Sequence, residues 1–135
     1  MDYDCITVER SGPTTTVTMN LPDRRNALGL RHLEELLDAF TVAAATDATG
    51  IVLAGAGPVF SAGHDLGEMA GQDEAGVRRM LDTCTALMAA MRGAPQVVLA
   101  RVHGLATAAG CQLVANADLA VAGASAGFAV PGGKG

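Results

Sequence analysis

The chain has 135 residues, of which 50% are hydrophobic and 3% aromatic, and its formal net charge is −5. This length suggests at most one domain, whose core has to come from Ala, Val, Leu and Met. The acidic balance and the absence of a basic face argue against nucleic acid as a partner. No apolar run reaches the length of a transmembrane helix, which argues against a membrane-spanning protein.

The cysteines and the N-terminus bear on the compartment. Cys5, Cys84 and Cys111 are odd in number and widely spaced, and the opening Met-Asp-Tyr-Asp lacks the apolar core of a signal peptide. These features favour reduced thiols in a cytoplasmic protein, with the cysteines as small buried hydrophobic residues. No cluster of Cys and His predicts a metal site.

The first predicted element is a β-hairpin. Residues 4–9 and 14–20 alternate with a period of two, and Ser11-Gly12-Pro13 supplies the turn between them. A Pro/Asp turn in "LPDRRNAL" then leads into a helix with an apolar stripe at 3-4-3-4 spacing. The stripe consists of Leu30, Leu33, Leu37, Phe40 and Ala44.

Apolar strands and helices alternate along the rest of the chain. "GIVLAG" (50–55) predicts a strand covered on both faces, and 96–102 and 118–123 predict two more. A helix ending at Gly93 and Pro95 has the stripe Val77, Leu81, Cys84, Met88 and Met91. Helices between apolar strands predict an α/β fold with crossover connections. The turn-rich "VPGGKG" after a strand predicts a fragment, or a sheet face covered by another subunit.

Two stretches, 59–69 and 103–114, share one design, in which an apolar strand is followed by a bare loop and then by a helix start. Small residues let a ligand approach the main chain, and the first amides of a helix lack intrahelical acceptors. Two such ends converging on one point would offer paired N–H donors to an oxyanion. The alternative is that Gly and Ala merely allow tight packing of strand on helix.

Three segments carry a family resemblance: "NLPDRRNAL" (20–28), "GAGPVFSAGHDLGEM" (55–69) and "VVLARVHGLATAAGCQLVANADLAVAGASAGFAVPG" (97–132). In this order and spacing they resemble the crotonase superfamily, the enoyl-CoA hydratase/isomerase family. The resemblance implies a crotonase-like spiral of ββα units, with residues 1–135 as a partial domain truncated before the C-terminal helices. It also implies a homo-oligomer, a trimer or hexamer.

The resemblance implies an acyl-CoA thioester as substrate or ligand, with no other cofactor. Its carbonyl oxygen would accept hydrogen bonds from the backbone N–H groups of His64 and Ala109, which would stabilise an enolate. The backbone of Ser61, Ala62 and Gly63 matches the segment that holds the CoA adenine. Either of the arginines in this motif, at positions 24 and 25, matches the basic position near the CoA phosphates. For these arginines the alternative is an ordinary solvated turn.

Two departures from the family pattern affect the expected reaction. Hydratases of the family carry a glutamate at the position of Gln112 and another at the position of Gly132. An amide has no usable basicity near neutral pH, and glycine offers no side chain, so roughly 10²–10⁴ in rate is lost for each missing group. Both ordinary hydration and the family's isomerisation are therefore unsupported. The His64 imidazole is the best substitute base by type.

The remaining polar residues have expected structural roles. Asp65 and Glu68 cap and charge the first turn of their helix, His103 is a hydrogen-bonded core residue, and His32 faces solvent. Asp118 begins a strand and matches a structural aspartate of the family. Ser61 and Ser125 lack a neighbouring base and a G-x-S-x-G elbow, so the sequence does not support a serine hydrolase.

Three hypotheses remain open. The chain is an acyl-CoA enzyme with a different proton shuttle, a non-catalytic acyl-CoA-binding protein, or a truncated chain whose pocket depends on assembly. The first two predict saturable binding of CoA esters and differ in turnover. The third predicts poor folding of the isolated chain.

Overall fold

The structure is a computed structural model that describes residues 1–129 of the chain. Its strands are β1 (Ile6–Ser11), β2 (Thr14–Met19), β3 (Gly50–Gly55), β4 (Val59–Ser61), β5 (Val97–Val102), β6 (Leu105–Thr107), β7 (Leu119–Ala122) and β8 (Gly127–Ala129). Its α-helices are α1 (Leu30–Ala44), α2 (Leu66–Ala70), α3 (Glu74–Gly93) and α4 (Ala109–Asn116). A 3-10 turn, Pro22–Arg24, lies between β2 and α1.

The strands form two sheets. The first has the order β1-β2-β3-β5-β7, with an antiparallel β1–β2 pair followed by parallel pairs. The second has the order β4-β6-β8 and is parallel. From β3 onward the chain visits the first sheet, then the second, and helices follow β4 and β6. This recurrence confirms the predicted α/β spiral of ββα units.

The N-terminal hairpin is confirmed. β1 and β2 pair in antiparallel register up to Ser11 opposite Thr14, so two residues form the turn. Gly12 adopts φ +56° there, a left-handed conformation that costs glycine little.

The second sheet is the main feature missing from the sequence-based prediction. Residues 59–61 look like bare loop in the sequence, but they form β4, in which all three residues are buried. Residues 105–107 likewise have the sequence pattern of a turn, but they form β6. Three-residue strands are too short to show a period of two, so their pairing becomes visible only in three dimensions.

The apolar stripe predicted for α1 is only half right. Leu33 and Phe40 are fully buried, whereas Leu30, Leu37 and Ala44 are half-buried. The helix packs against both the first sheet and α3, so its buried face is wider than one stripe. That face consists of His32, Leu33, Glu35, Leu36, Ala39, Phe40 and Ala43.

The α3 stripe needs a similar correction. Cys84, Met88 and Met91 are buried as expected, but Leu81 is 45% exposed. The buried face of α3 is completed by Met80 and Leu87, both at 0% exposure. The buried face of α3 therefore departs from the predicted stripe by one residue at positions 80 and 81.

His32 is buried, which contradicts the expectation that it faces solvent. It is 1% exposed, and its Nδ1 lies 2.9 Å from the Ala27 carbonyl oxygen. Burial lowers the pKa of His32, because a charged imidazole would be poorly solvated in the core. The aromatic ring therefore acts as a neutral core side chain.

Glu35 is a buried carboxylate that fixes the N-terminus. Its side chain accepts hydrogen bonds from the backbone N–H groups of Asp4 and Cys5, at 2.8–3.0 Å, and from Arg31 Nε at 2.5 Å. Burial by itself raises the pKa of Glu35, but these donors outweigh it and hold the pKa below its usual value.

We expect stability to depend on this carboxylate at neutral pH and to lose that contribution in acid. Because the folded-state pKa of Glu35 is lowered, its stabilisation is present above the ordinary glutamate pKa of about 4 and is lost as the pH falls through the folded value. Glu35→Gln should cost about 2 kcal/mol at pH 7 and much less near pH 3, measured by urea unfolding. The matched variant Glu34→Gln, at an exposed position of α1, should change little at either pH. An equal loss for Glu35→Gln at both pH values would contradict this account.

Other sequence-based expectations can be placed on residues 1–129. Cys5 and Cys84 are buried and Cys111 is half-buried, which agrees with the small-hydrophobe interpretation for the first two. Within these residues no helix combines the length and the apolar character needed to cross a membrane. The same part of the chain places no three His, Cys, Asp or Glu side chains where they could share a metal ion.

Candidate functional site

The two strand–helix bends meet in space. Gly63 adopts φ +87°, and a β-carbon at this position would lie 3.2 Å from the Ala109 backbone nitrogen and 3.0 Å from the Thr107 carbonyl oxygen. The nitrogen of His64 is bonded to the carbonyl carbon of Gly63, so the His64 and Ala109 amides share one small region. Residues far apart in the sequence are thus brought together.

The backbone N–H groups of His64 and Ala109 share one property among the described residues. In the part of the chain that the structure describes, neither the His64 nor the Ala109 backbone N–H donates to another protein group. Ala109 is the first residue of α4, where helix amides have no intrahelical acceptor. His64 forms an isolated parallel bridge with Leu28. The two hydrogen bonds of this bridge use the Gly63 carbonyl and the Asp65 N–H, and they do not use the His64 N–H.

A parallel segment fixes the first bend. The N–H of Leu28 donates to the Gly63 carbonyl at 2.8 Å, and the N–H of Asp65 donates to the Leu28 carbonyl at 3.1 Å. The N–H of Ala62 donates to the Arg25 carbonyl at 3.0 Å. The "NLPDRRNAL" segment is therefore a brace along residues 62–65.

Asn26 anchors this brace, and the sequence analysis missed it. The side chain is fully buried and its Nδ2 donates to the carbonyls of Ala56, Val59 and Phe60 at 2.9–3.0 Å. Its Oδ1 accepts from the Leu21 N–H at 2.8 Å. In the sequence, this role is indicated only by an asparagine among turn residues. Asparagine tolerates the observed φ of +52°.

Ser61 connects the brace to the second bend. Its Oγ donates to the Asn26 carbonyl at 2.9 Å and accepts from the Gly63 N–H at 3.2 Å. On the other side, a β-carbon at Gly110 would lie 2.4 Å from the Ser61 carbonyl oxygen. Glycine at position 110 is therefore needed for close packing. The alternative explanation of the small residues, tight packing of strand on helix, holds at this position.

Ala108 is strained just before the second bend. It adopts φ +51° and ψ −120°, a region that suits glycine, whereas Ala109 already lies in α4. The negative φ that an alanine needs is therefore present at position 109 and absent at 108.

We expect Ala108→Gly to stabilise the protein by about 1 kcal/mol, because it removes a left-handed alanine. Urea unfolding should show a higher midpoint with an unchanged slope. Ala89→Gly, at an exposed position inside α3, should lower stability by about the same amount. Loss of stability in both variants would mean that the position-108 backbone carries no strain.

The His64 side chain lies beside the donors. It is half-buried, and its Nδ1 is buried without a hydrogen-bond partner among the described residues. Burial lowers the pKa of His64, while the Leu28 backbone opposes this in part. The ring is therefore neutral at neutral pH and is a candidate proton acceptor. His103, expected in the core, is half-buried, with Nε2 2.5 Å from the Gly57 carbonyl oxygen.

The charged residues around the first bend are engaged structurally. Asp65 caps α2 by accepting the Glu68 N–H at 3.0 Å, as expected, and it also forms an ion pair with Arg24. Glu68 lies in the first turn of α2, as expected, and its side chain also accepts the Leu30 N–H at 2.7 Å and so caps α1. Arg25 is exposed, with φ +56° and no ion pair within residues 1–129.

Two positions, 112 and 132, carry glutamate in the family's hydratases and a different residue in this chain. Gln112 is exposed on α4, one turn after Ala109. Gly132 lies outside the described residues. Of the CoA-binding candidates, Ser61 and Gly63 are buried and Ala62 is half-buried. Asp118 is structural as expected, since it accepts the Val98 N–H at 2.8 Å.

Two connected sheets with paired main-chain donors at strand–helix bends define the α/β class of crotonase-like folds. Residues 9–134 match the family model "Enoyl-CoA hydratase/isomerase". The chain therefore belongs to the enoyl-CoA hydratase/isomerase family.

Similar sequences point to one branch. The chain is 42% identical over 126 residues to the Danio rerio enoyl-CoA hydratase domain-containing protein 3, mitochondrial, covering 92% of this chain and 44% of that protein. It is 44% identical over 118 residues to the Rattus norvegicus protein of the same name, covering 86% and 39%. The chain spans less than half the length of these relatives.

Solved structures agree with the fold. The enoyl-CoA hydratase of Mycobacterium smegmatis superposes with a TM-score of 0.93 at 42% identity, over 97% of this chain and 52% of that one. Human enoyl-CoA hydratase domain-containing protein 3 gives a TM-score of 0.92 at 37% identity, over 97% and 53%. The likeness thus extends over nearly all of this chain and about half of each neighbour.

Proposed function

We propose that the protein binds acyl-CoA thioesters and stabilises a thioester enolate through the backbone N–H groups of His64 and Ala109. The observation that carries this proposal is the meeting of the two amides at adjoining bends, supported by membership of the family. Hydrogen bonds aimed at a developing oxyanion are among the largest contributions to catalysis of this type.

The CoA portion is proposed to lie along the first bend. The backbone of Ser61, Ala62 and Gly63 would face the adenine, and Arg24 or Arg25 would contact the phosphates. Arg25 has no ion pair within residues 1–129, whereas Arg24 would have to share its charge with Asp65. The proposed ligand is the thioester itself, with no separate cofactor. A homotrimer or a pair of trimers is the proposed assembly, and residues 1–135 form part of one crotonase-like domain.

The reaction is proposed to differ from ordinary hydration. Gln112 and Gly132 cannot supply the two carboxylates that activate water and transfer protons. The neutral His64 imidazole is the nearest group able to take their place. A second candidate function, acyl-CoA binding without turnover, is favoured by the exposed amide at position 112. The sequence predicts a cytoplasmic protein. The vertebrate relatives are named as mitochondrial.

Binding and turnover test these proposals separately. A cinnamoyl-CoA with an electron-donating ring substituent should bind saturably, and its absorption should shift to the red as the two amides polarise its carbonyl. Crotonyl-CoA should be hydrated poorly by the parent chain and at least about 100-fold faster by Gln112→Glu combined with Gly132→Glu. Absence of binding would refute the oxyanion site. Binding without a red shift would show that the thioester carbonyl does not accept hydrogen bonds from the two amides. His64→Asn, which keeps the backbone donor, separates turnover by the imidazole from binding alone.

A further inference from the structure

A groove lies between α3 and α4, the helix that begins at Ala109. It is open to solvent and has a volume of about 310 Å³. Its walls are Thr85, Met88 and Arg92 from α3 and Gln112, Ala115 and Asn116 from α4.

The groove runs along α4 away from the end that carries Ala109. Ala109, Gln112 and Asn116 stand at positions i, i+3 and i+7 of one helix, so they share a face of α4. At 1.5 Å per residue, the groove begins roughly 5 Å from Ala109 and reaches Asn116 after roughly 10 Å. Thr85, Met88 and Arg92 repeat the same spacing on α3 and form the opposite wall.

The lining is mixed, with polar groups beside apolar surface. Two amides, a hydroxyl and a guanidinium line the groove, and Met88 is its only large apolar wall residue. A saturated chain would remove water from these groups without replacing their hydrogen bonds, which is costly. Arg92 is not paired with a carboxylate within residues 1–129, whereas Arg78 of the same helix pairs with Glu74.

We propose that this groove receives an acyl group that ends in a carboxylate, with Arg92 as the residue that recognises it. The guanidinium would bind the terminal carboxylate through charge-assisted hydrogen bonds, and Gln112 and Asn116 would hydrogen-bond along the way. The inference rests on the proposed function, since it places the thioester carbonyl at Ala109. It adds a substrate class, the ω-carboxyacyl-CoA esters of medium length.

The test compares two esters of equal length by calorimetry: octanoyl-CoA and the mono-CoA ester of octanedioic acid. The parent chain should bind the carboxylated ester about tenfold more tightly, as one charge-assisted hydrogen-bonded pair predicts. Arg92→Gln should abolish this preference. The matched control Arg79→Gln removes the same charge from an exposed position of α3 outside the groove and should retain the preference.

The outcomes separate this inference from the proposed function. Equal affinity of the parent for both esters overturns the inference alone, because the thioester site still binds. A preference that survives Arg92→Gln also overturns it. Failure to bind either ester overturns the proposed function and the inference together.

Discussion

Asn26→Ala is expected to destabilise the protein by about 3–5 kcal/mol, because one side chain hydrogen-bonds four backbone groups. Its removal leaves the Leu21 N–H and three carbonyls without that partner, and the bonds to Val59 and Phe60 are buried. Alanine also disfavours the φ of +52° at this position by roughly 1 kcal/mol or more. Urea unfolding followed by circular dichroism measures the loss.

A second variant separates the hydrogen bonds from the backbone strain. Asn26→Gly accepts the left-handed conformation but has no amide, so it should recover only about 1 kcal/mol of the loss seen with alanine. If Asn26→Gly were as stable as the parent, the hydrogen bonds of the amide would be unimportant and strain would explain the whole effect. Because the brace holds residues 62–65, ester binding should weaken in both variants.

Gly110→Ala is expected to cost about 2–3 kcal/mol and to lower acyl-CoA affinity at least tenfold. The new β-carbon would lie 2.4 Å from the Ser61 carbonyl oxygen and 2.9 Å from its Cβ, so α4 and β4 have to move apart. Backbone atoms on a paired strand cannot yield as the end of a flexible side chain can. The shift separates the two bends and so the His64 and Ala109 amides. Unfolding experiments and titration with octanoyl-CoA measure the two effects.

Gly93→Ala is the matched control for this substitution. Gly93 also lies in a helix, but a β-carbon there has no neighbour within 4 Å. Alanine should be neutral or stabilising by up to about 1 kcal/mol, because it lowers the entropy of the unfolded chain. Unchanged ester binding by Gly110→Ala would show that the spacing of the bends does not matter for the ligand.

Several features of the fold are predictable from the sequence because they depend on neighbours in the chain. The hairpin at Gly12, the helix after Leu30 and the end of α3 at Gly93 follow from periodicity and turn residues. The same local logic correctly placed the helix starts at Leu66 and close to Gly110. The family resemblance then supplied the ββα spiral, which periodicity alone left as a general α/β fold.

Other features required the tertiary structure. His32 lies on a helix that packs against both the first sheet and α3, and this packing makes the buried face of the helix wider than the one stripe that periodicity predicts. Glu68 is spaced as a cap for its own helix, and it also caps α1 because that N-terminus lies beside it. The role of Asn26 depends on carbonyls about thirty residues away in the sequence.

By itself, the sequence determined that residues 64 and 109 each follow a strand and stand at or near a helix start, where amides lack local acceptors. It also determined that carboxylates are missing at positions 112 and 132. Only the tertiary structure decided that the two amides adjoin, because their proximity depends on the pairing of β4 with β6 and on the closeness of Gly110 to Ser61. Local backbone preferences act over a few residues, whereas this approach is set by packing between distant parts of the chain.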